Sequence, residues 1–252
     1  MNIVVPVKIV LDDQDIVVNA DGSLDESKAR PVPSSYDLNA LEVAVRLAEG
    51  DPEAKVTVVS VGASYIDDSK LKKGILARGA DKIVMVADDK CGDLDAWQTA
   101  NMLAATVAGA GGFDLIVCGD GSADNYAQQV DVQLAAALHI PVITAAATVV
   151  VQDGMVQCDR VLETCVQTVK ADLPAVVSVV PDAAVPRIAG MKDILAAGKK
   201  PAEVVPATDV AQASVETVEV KAPEQVDRRQ EIFDVSDEGG VASFVRALRA
   251  AL

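Results

Sequence analysis

The chain has 252 residues, half of them apolar and 24% charged, which is the composition of a globular protein and excludes a disordered or fibrous one. It carries 22 Lys and Arg against 38 Asp and Glu, a formal net charge of −16. Nucleic-acid phosphates and anionic membrane surfaces repel such a chain, so we expect no nucleic-acid partner.

The first half of the chain alternates strands with helices. An apolar run over residues 2–10 predicts a buried parallel strand, and Ser34 and Ser35 are suitable caps for a helix over 37–47. Between them, residues 15–25 predict a peripheral hairpin. Further strands are predicted at 55–61, 82–86 and 113–118, and further helices at 67–77, 95–108 and 124–138. This alternation predicts βαβ crossovers and a mostly parallel sheet in a three-layer α/β fold.

The pattern changes after residue 142. Closely spaced apolar runs at 148–151, 155–162 and 164–170, with an Asp153-Gly154 turn, predict an antiparallel hairpin on the sheet before a last buried strand at 175–180. Residues 204–231 have too little periodic apolar sequence to form a core. We expect this arm to lie on its own sheet or on a partner chain, and an amphipathic helix to follow at 241–252.

The cysteines and the N-terminal sequence indicate the cellular compartment and whether a metal site is expected. Cys91, Cys118, Cys158 and Cys165 lack CxxC spacing, and the single His139 cannot complete a usual Cys/His zinc set, so no metal site is predicted. The first residues lack the regions of a signal peptide, and no apolar run approaches the roughly 20 residues that span a bilayer. We expect a cytoplasmic protein with no direct membrane insertion.

One loop has the pattern of a phosphate site. Residues 118–130, Cys-Gly-Asp-Gly-Ser-Ala-Asp-Asn-Tyr-Ala-Gln-Gln-Val, lead from a buried strand into the helix expected to begin at Asp124. Ligands of open α/β sheets bind at the carboxyl ends of the strands, and the N–H groups at a helix start bind phosphate. Gly119 and Gly121 are equally suited to a plain tight turn, because the loop is neither GxGxxG nor a Walker P-loop.

Catalytic patterns are weak. Asp120 and Asp124 are more typical of turns and caps than of an acid/base pair, and no nucleophile-elbow pattern occurs. We therefore predict no catalytic residue. Lys192, Lys199 and Lys200 form either a solvated face or, with neighbouring apolar residues, a protruding surface for an acidic partner.

Seven segments, in order through residues 1–201, resemble the beta subunit of electron-transfer flavoproteins. They are Val5-Pro-Val-Lys8; Tyr36-Asp-Leu-Asn-Ala-Leu-Glu-Val-Ala44; Val58-Val-Ser-Val-Gly62; Leu76-Ala-Arg-Gly-Ala-Asp81; residues 119–129; Leu173-Pro-Ala-Val176; and residues 186–201. Within that family, residues 12–24 and the loop after residue 118 look most like the Fix-type branch, which is associated with anaerobic carnitine metabolism and with nitrogen fixers.

The resemblance implies an electron carrier and not a stand-alone enzyme. The fold would be Rossmann-like, of the adenine-nucleotide alpha-hydrolase type. An alpha subunit would carry the redox-active FAD in a heterodimer. Electrons would pass from a flavin dehydrogenase, or from NADH, to a second acceptor such as a quinone oxidoreductase, and flavin-based electron bifurcation is one such route in the family.

The resemblance also implies a nucleotide site in this chain, for AMP or, as in bifurcating members, for a second FAD. The common family loop has Lys and Gln where this chain has Asp120 and Gly121. This chain therefore lacks the lysine that would pair with a phosphate in the common loop. AMP and FAD therefore both stay open. The implied cofactor-binding residues are Pro6, Ser34, Ser35, Tyr36, Asp37, Val61, Gly119, Asp120, Gly121, Ser122, Ala123, Asp124, Asn125, Tyr126, Ala127, Gln128, Gln129 and Val130.

Partner docking is implied for residues 186–200, with Met191 as an apolar anchor. The chain would divide into an α/β nucleotide-binding domain, residues 1–185, and a docking loop with an extended C-terminal arm that packs on the alpha subunit, residues 186–252. The implied docking residues are Arg187, Met191, Lys192, Ile194, Leu195, Lys199 and Lys200.

Two other functions fit parts of the sequence. A stand-alone nucleotide-binding regulatory module of the universal-stress type has a similar sheet and would be homodimeric, but it lacks the segment around Met191. An adenylyl-transfer ATPase would need Lys or Ser at its catalytic phosphate, and residues 119–125 contain no lysine.

Overall fold

The computed structural model describes residues 1–209, 215, 217–224 and 230–251. The chain forms two compact units, a larger one of residues 1–17 and 25–219 and a smaller one of residues 18–24 and 220–252. Parts of the predicted arm, 210–214, 216 and 225–229, and the last residue of the predicted closing helix, Leu252, lie outside the described residues. No helix in the described parts is long and apolar enough to cross a membrane.

The described elements follow the predicted alternation. The strands are β1 (Asn2–Pro6), β2 (Ile9–Leu11), β3 (Val17–Val18), β4 (Leu24–Asp25), β5 (Pro31–Pro33), β6 (Lys55–Gly62), β7 (Lys82–Ala87), β8 (Leu115–Gly119), β9 (Val142–Gln152), β10 (Met155–Val161), β11 (Val166–Asp172), β12 (Ala175–Val179) and β13 (Ala202–Val204). The α-helices are α1 (Ser35–Glu49), α2 (Ser69–Leu76), α3 (Ala96–Gly109), α4 (Val130–Leu138), α5 (Met191–Ala197) and α6 (Gly240–Ala251).

A nine-stranded sheet organises the larger unit, in the order β11-β10-β9-β12-β8-β1-β6-β7-β13. The strands from β9 through β12 to β13 pair in parallel, whereas β9, β10 and β11 form an antiparallel meander. This arrangement confirms the predicted three-layer α/β fold with its antiparallel hairpin. The meander strand β9 begins at residue 142, earlier than predicted, because its first residues pair with β12 and extend the parallel sheet.

The two faces of the sheet bury different helices. Ile3 and Val5 of β1 pack in one apolar cluster with side chains of α1 and α2. Val4, between them, faces the other way and packs in a second cluster with side chains of α3 and α4. Side chains alternate across a strand, so a strand covered on both faces must be apolar at every position. This explains the continuous apolar runs in the sequence.

Side-chain caps fix where two of the helices begin. The Asp68 carboxylate accepts the N–H groups of Lys70 and Leu71 at the start of α2. Asp95 and Gln98 form a reciprocal capping box at the start of α3. Because a cap satisfies N–H groups that have no partner inside the helix, these carboxylates set the boundaries and move the start of α2 from the predicted residue 67 to Ser69.

The first predicted strand is wrong in its extent. It ends at Pro6, and β2 pairs instead with β5 in a separate two-stranded antiparallel sheet. The chain leaves the large sheet because the backbone N–H of Lys8 donates to the Asp37 carboxylate, at 2.7 Å, and not to a neighbouring strand. The predicted hairpin at residues 15–25 is confirmed, since β3 pairs with β4.

The predicted start of the helix at Asp124 is also wrong. Helix α4 begins at Val130, and residues 120–129 form a loop. Tyr126 and Gln128 have left-handed φ angles of 45° and 54°, which no right-handed helix can contain. The N–H groups at the start of α4 therefore lie six residues further along the chain than the sequence pattern indicates.

The smaller unit contains α6, which confirms a helix near the predicted position. One side of α6 carries Val241, Phe244, Val245 and Leu248, all of them exposed. The Phe244 ring packs edge-on against the ring of Phe233, with centroids 5.9 Å apart.

Gly79 is required where the chain turns from α2 into β7. Its φ is +114°, and a Cβ at this position would lie 2.7 Å from a methyl group of Val45 on α1. We predict that Gly79→Ala lowers the free energy of unfolding by roughly 2 kcal/mol or more, measured by urea denaturation. Gly109→Ala is the matched control: its Cβ meets no atom within 4 Å, and we expect no loss there. Equal losses at both positions would contradict this packing argument.

Candidate functional site

The candidate site lies at the carboxyl ends of the central strands. The crossovers from β1 to β6 and from β6 to β7 proceed in one direction along the sheet, whereas β8 pairs on the opposite side of β1. The strand order therefore reverses between β1 and β8, and open α/β sheets bind ligands at such a point. The loops that follow β1 and β8, together with the start of α1, surround this position.

A buried carboxylate joins these three elements. Asp37, in the first turn of α1, accepts the backbone N–H of Lys8 after β1 and the backbone N–H of Gly119 at the end of β8. Burial raises the pKa of Asp37 to about 7, and the two hydrogen bonds only partly oppose this shift. The geometry of the site depends on this one side chain.

The serines before α1 act differently from the predicted caps. Ser34 occupies the N-cap position, but its hydroxyl makes no capping bond. Instead it accepts the backbone N–H of Ala123 at 3.3 Å, and the Ser34 backbone N–H donates to the carbonyl of Lys8 at 2.9 Å. Ser34 therefore connects the start of α1 with the loop after β8 and with the loop after β1. Ser35 is the first residue of α1.

The two glycines of the loop after β8 allow close packing. A Cβ on Gly119 would lie 2.8 Å from an Asp37 carboxylate oxygen and 2.8 Å from the Tyr36 carbonyl carbon. A Cβ on Gly121 would lie 2.2 Å from the ring of Tyr126. Residue 119 must therefore be glycine for β8 to meet α1, and glycine at 121 leaves room for the tyrosine ring.

Polar contacts between its own side chains order the glycine loop, which consists of residues 119–130. The Tyr126 hydroxyl donates to Asp120 at 2.8 Å, and the Tyr126 ring lies tilted against Tyr36 with centroids 5.0 Å apart. The hydrogen bond to Asp120 raises the pKa of Tyr126 to about 12. Gln128 donates weakly to the same hydroxyl at 3.4 Å.

An ion pair that sequence reasoning missed also holds the glycine loop. The Lys8 ammonium lies 2.5 Å from Asp124, and the Ser122 hydroxyl donates to the other oxygen of the same carboxylate. Burial acts to raise the pKa of Asp124, but the bonds from Lys8 and Ser122 outweigh it and lower the pKa. The available signal was the position of Lys8 just after the carboxyl end of the first strand.

The remaining predicted cofactor residues are distributed around this centre. Pro6 ends β1 beside the loop that contains Lys8. Val61, near the end of β6, packs against a separate small apolar cluster that includes Cys91 and Met102. Residues 123–129 of the glycine loop are all exposed, and Val130 is the first residue of α4.

A separate cavity of about 260 Å³ opens at the carboxyl end of β7. The same small cluster of Cys91 and Met102 contributes to its lining, with Asp88 and Thr208 among its polar neighbours.

The groups at this site can form ion pairs and hydrogen bonds with a ligand. Burial raises the pKa of the Cys118 thiol well above its usual range, so it is no thiolate nucleophile. The cation available to a phosphate is Lys8, and Asp120 suits a hydroxyl or amino donor because its buried Oδ1 atom has no hydrogen-bond partner. Lys8 and Asp120 thus offer the loop one cationic group and one acceptor group for a polar ligand.

The docking residues that the sequence indicated fall into two groups. Met191 and Leu195 on the short helix α5 are 77% and 71% exposed. In contrast, Arg187 donates to Glu42 at 2.7 Å, and the Lys200 ammonium donates to the carbonyls of residues 76 and 80. Arg187 and Lys200 therefore attach the segment to the fold, and the apolar side chains of α5 are left exposed.

The other implied docking residues also face outward. Lys192, Ile194 and Lys199 are exposed. Ile188, at 94% exposure, adds an apolar side chain that sequence reasoning did not single out. Residues 186–200 thus present an apolar surface with lysines beside it.

The raised pKa of Asp37 predicts a pH dependence of stability. The folded state keeps a proton on Asp37 up to about pH 7, whereas an unfolded chain releases it near the ordinary value of 3.8. The contribution to stability is therefore complete below about pH 4 and is lost as the pH rises to 7, on the order of a few kcal/mol. We predict that Asp37→Asn removes this slope in urea unfolding measured from pH 4 to 8.

Asp68→Asn is the matched control for this slope. Hydrogen bonds from Leu71 and Lys70 lower the pKa of Asp68, so its contribution changes below pH 4 and leaves the range from 4 to 7 unaffected. An unchanged slope in Asp37→Asn would show that other groups produce it.

One known protein family matches this chain. The model of the electron transfer flavoprotein domain matches residues 21–210, which include α1, the glycine loop and α5. The match covers most of the nine-stranded sheet. The chain therefore belongs to the electron transfer flavoprotein family.

Proposed function

We propose that this chain is the beta subunit of an electron-transfer flavoprotein of the Fix-type branch. It would act as an electron-carrier subunit with no catalytic residue of its own. Proteins of this family bind flavin and form heterodimers with a partner subunit. The observation that carries the proposal is that two features occur on the same unit. One is the glycine loop, which Asp37 joins to β1 and α1, and the other is the helix α5 with its exposed apolar side chains.

The proposed partner is an alpha subunit that carries the redox-active FAD. The alpha subunit would contact the C-terminal arm within residues 186–252, where α6 exposes four apolar side chains. Electrons would enter from a flavin dehydrogenase, or from NADH in a bifurcating complex, and leave to a second acceptor such as a quinone oxidoreductase. The flavin supplies the redox chemistry, and this chain binds and orients its partners.

We further propose an adenine nucleotide, AMP or a second FAD, at the glycine loop. Its phosphate would lie near Lys8, and its hydroxyl or amino groups would donate to Asp120. Asp37 would hold the loop in place without touching the ligand.

A cytoplasmic location is also part of the proposal. Cys91, Cys118, Cys158 and Cys165 are all free thiols, and three of them are buried in the core. Free thiols are typical of proteins in a reducing compartment. We connect the proposed role with carnitine metabolism through the resemblance of residues 12–24 and of the loop after residue 118 to the Fix-type branch.

The test counts nucleotides in the heterodimer. The chain is produced with its alpha subunit, the purified complex is denatured, and the released FAD and AMP are quantified. We expect one FAD and one AMP per heterodimer for a simple carrier, or two FAD and no AMP for a bifurcating one. One FAD with no second nucleotide would contradict a nucleotide site in this chain.

A variant locates the second nucleotide in the same experiment. Gly121→Trp must displace the Tyr126 ring, because even a Cβ at position 121 would lie 2.2 Å from it, so we expect loss of most of the second nucleotide while the FAD of the alpha subunit remains. Gly112→Trp is the control, because a Cβ there meets no atom within 4 Å. If both variants keep both nucleotides, the second nucleotide binds elsewhere.

Docking is tested separately at α5. Exposed apolar side chains at the centre of a contact contribute most of its binding energy, so Met191→Ala should raise the KM of a flavin dehydrogenase for the heterodimer by about tenfold. The FAD content should not change. Val161→Ala, on the strand β10 near the opposite edge of the sheet, is the control and should leave the KM unaltered. Loss of FAD from the Met191 variant would assign that residue a structural role.

A further inference from the structure

Lys8 has a fixed backbone and a partly exposed charge. Its N–H donates to Asp37 and its carbonyl accepts the N–H of Ser34, so the main chain is held on both sides of the side chain. The side chains of Lys8 and Asp124 are 44% and 34% exposed where they pair. The ammonium group is therefore positioned at the glycine loop and still reachable from solvent.

The surroundings of the glycine loop are otherwise acidic. Asp120 and Asp124 belong to the loop, and Asp37 lies beneath it. Among the residues that the structure describes, Lys8 is the one cation that forms an ion pair with this loop. A phosphate that enters here meets the Asp124 carboxylate, which has the same sign of charge, so it needs this ammonium group as its counter-charge.

The conformation of the glycine loop depends on its side-chain contacts. Tyr126 and Gln128 have left-handed φ angles, which non-glycine residues keep only where neighbouring contacts hold them. Here those contacts are the Tyr126 bond to Asp120 and the ion pair between Lys8 and Asp124.

We infer that Lys8 is the phosphate-binding cation of this site, and that Asp124 occupies it until a ligand phosphate takes its place. Binding then exchanges one ion pair for another, and Asp124 sets the affinity for phosphate-bearing nucleotides. This inference rests on the proposed nucleotide function and names the residues that select for the phosphate. The ligand class is an adenosine phosphate, either AMP or the adenylate part of FAD.

The experiment measures the binding of AMP, FAD and adenosine to the full chain, freed of bound nucleotide, by titration calorimetry. Asp124→Asn should bind AMP and FAD about fivefold more tightly, because no carboxylate competes for Lys8. Lys8→Met should bind them about tenfold more weakly, and Lys8→Arg should retain most of the affinity. Adenosine, which has no phosphate, should bind all variants equally.

The double variant Lys8→Met with Asp124→Asn distinguishes two ways in which Asp124 could weaken binding. Asp124 could compete with the phosphate for Lys8, or it could simply repel the phosphate. If Asp124 acts by occupying Lys8, its removal gives no gain once the lysine is absent. A fivefold gain that persists in the Lys8→Met background would show repulsion alone and overturn the inference. Equal changes for adenosine would overturn it as well, because they would show a general effect on the loop.

The outcome for the unaltered chain distinguishes this inference from the proposed function. If the unaltered chain binds AMP, FAD or adenosine, but the substitutions at positions 8 and 124 leave these affinities unchanged, only the role of Lys8 fails. If it binds none of the three, alone or with its partner subunit, the proposed nucleotide function fails and the inference with it.

Discussion

The candidate site depends on a single buried carboxylate. Asp37 accepts N–H groups from the ends of two neighbouring parallel strands and lies in the first turn of the helix that follows one of them. Buried backbone N–H groups need partners, and at the end of a sheet no further strand provides them. Asp37 provides them here, and it therefore determines how closely β1, β8 and α1 approach one another.

The rest of the larger unit supports that junction. The sheet buries apolar residues on both faces, with α1 and α2 on one side and α3 and α4 on the other, so its central strands are fixed. Loops at the carboxyl ends are free of this packing and carry the polar residues. This division of a rigid sheet and variable loops explains why polar contacts can be placed at the glycine loop without loss of the core.

Side-chain contacts also hold residues 186–200 in place. Arg187 pairs with Glu42 of α1, and Lys200 donates to carbonyls after α2, so charged side chains anchor both ends of the segment. Ion pairs that are partly exposed contribute little stability singly, but here they fix the position of a short helix. The apolar side chains Met191 and Leu195 of α5 stay exposed.

The amino-acid sequence determined the fold class, the alternation of elements and the position of the glycine loop, because apolar periodicity and turn residues act over short stretches of chain. Only the tertiary structure decided that α4 begins at Val130, that Lys8 pairs with Asp124, and that Arg187 and Lys200 are anchors. The pattern at Asp124 resembles a helix cap, but its partner lies 116 residues earlier in the chain. Contacts between residues so far apart depend on which strand ends the fold brings together, and no local pattern contains that information.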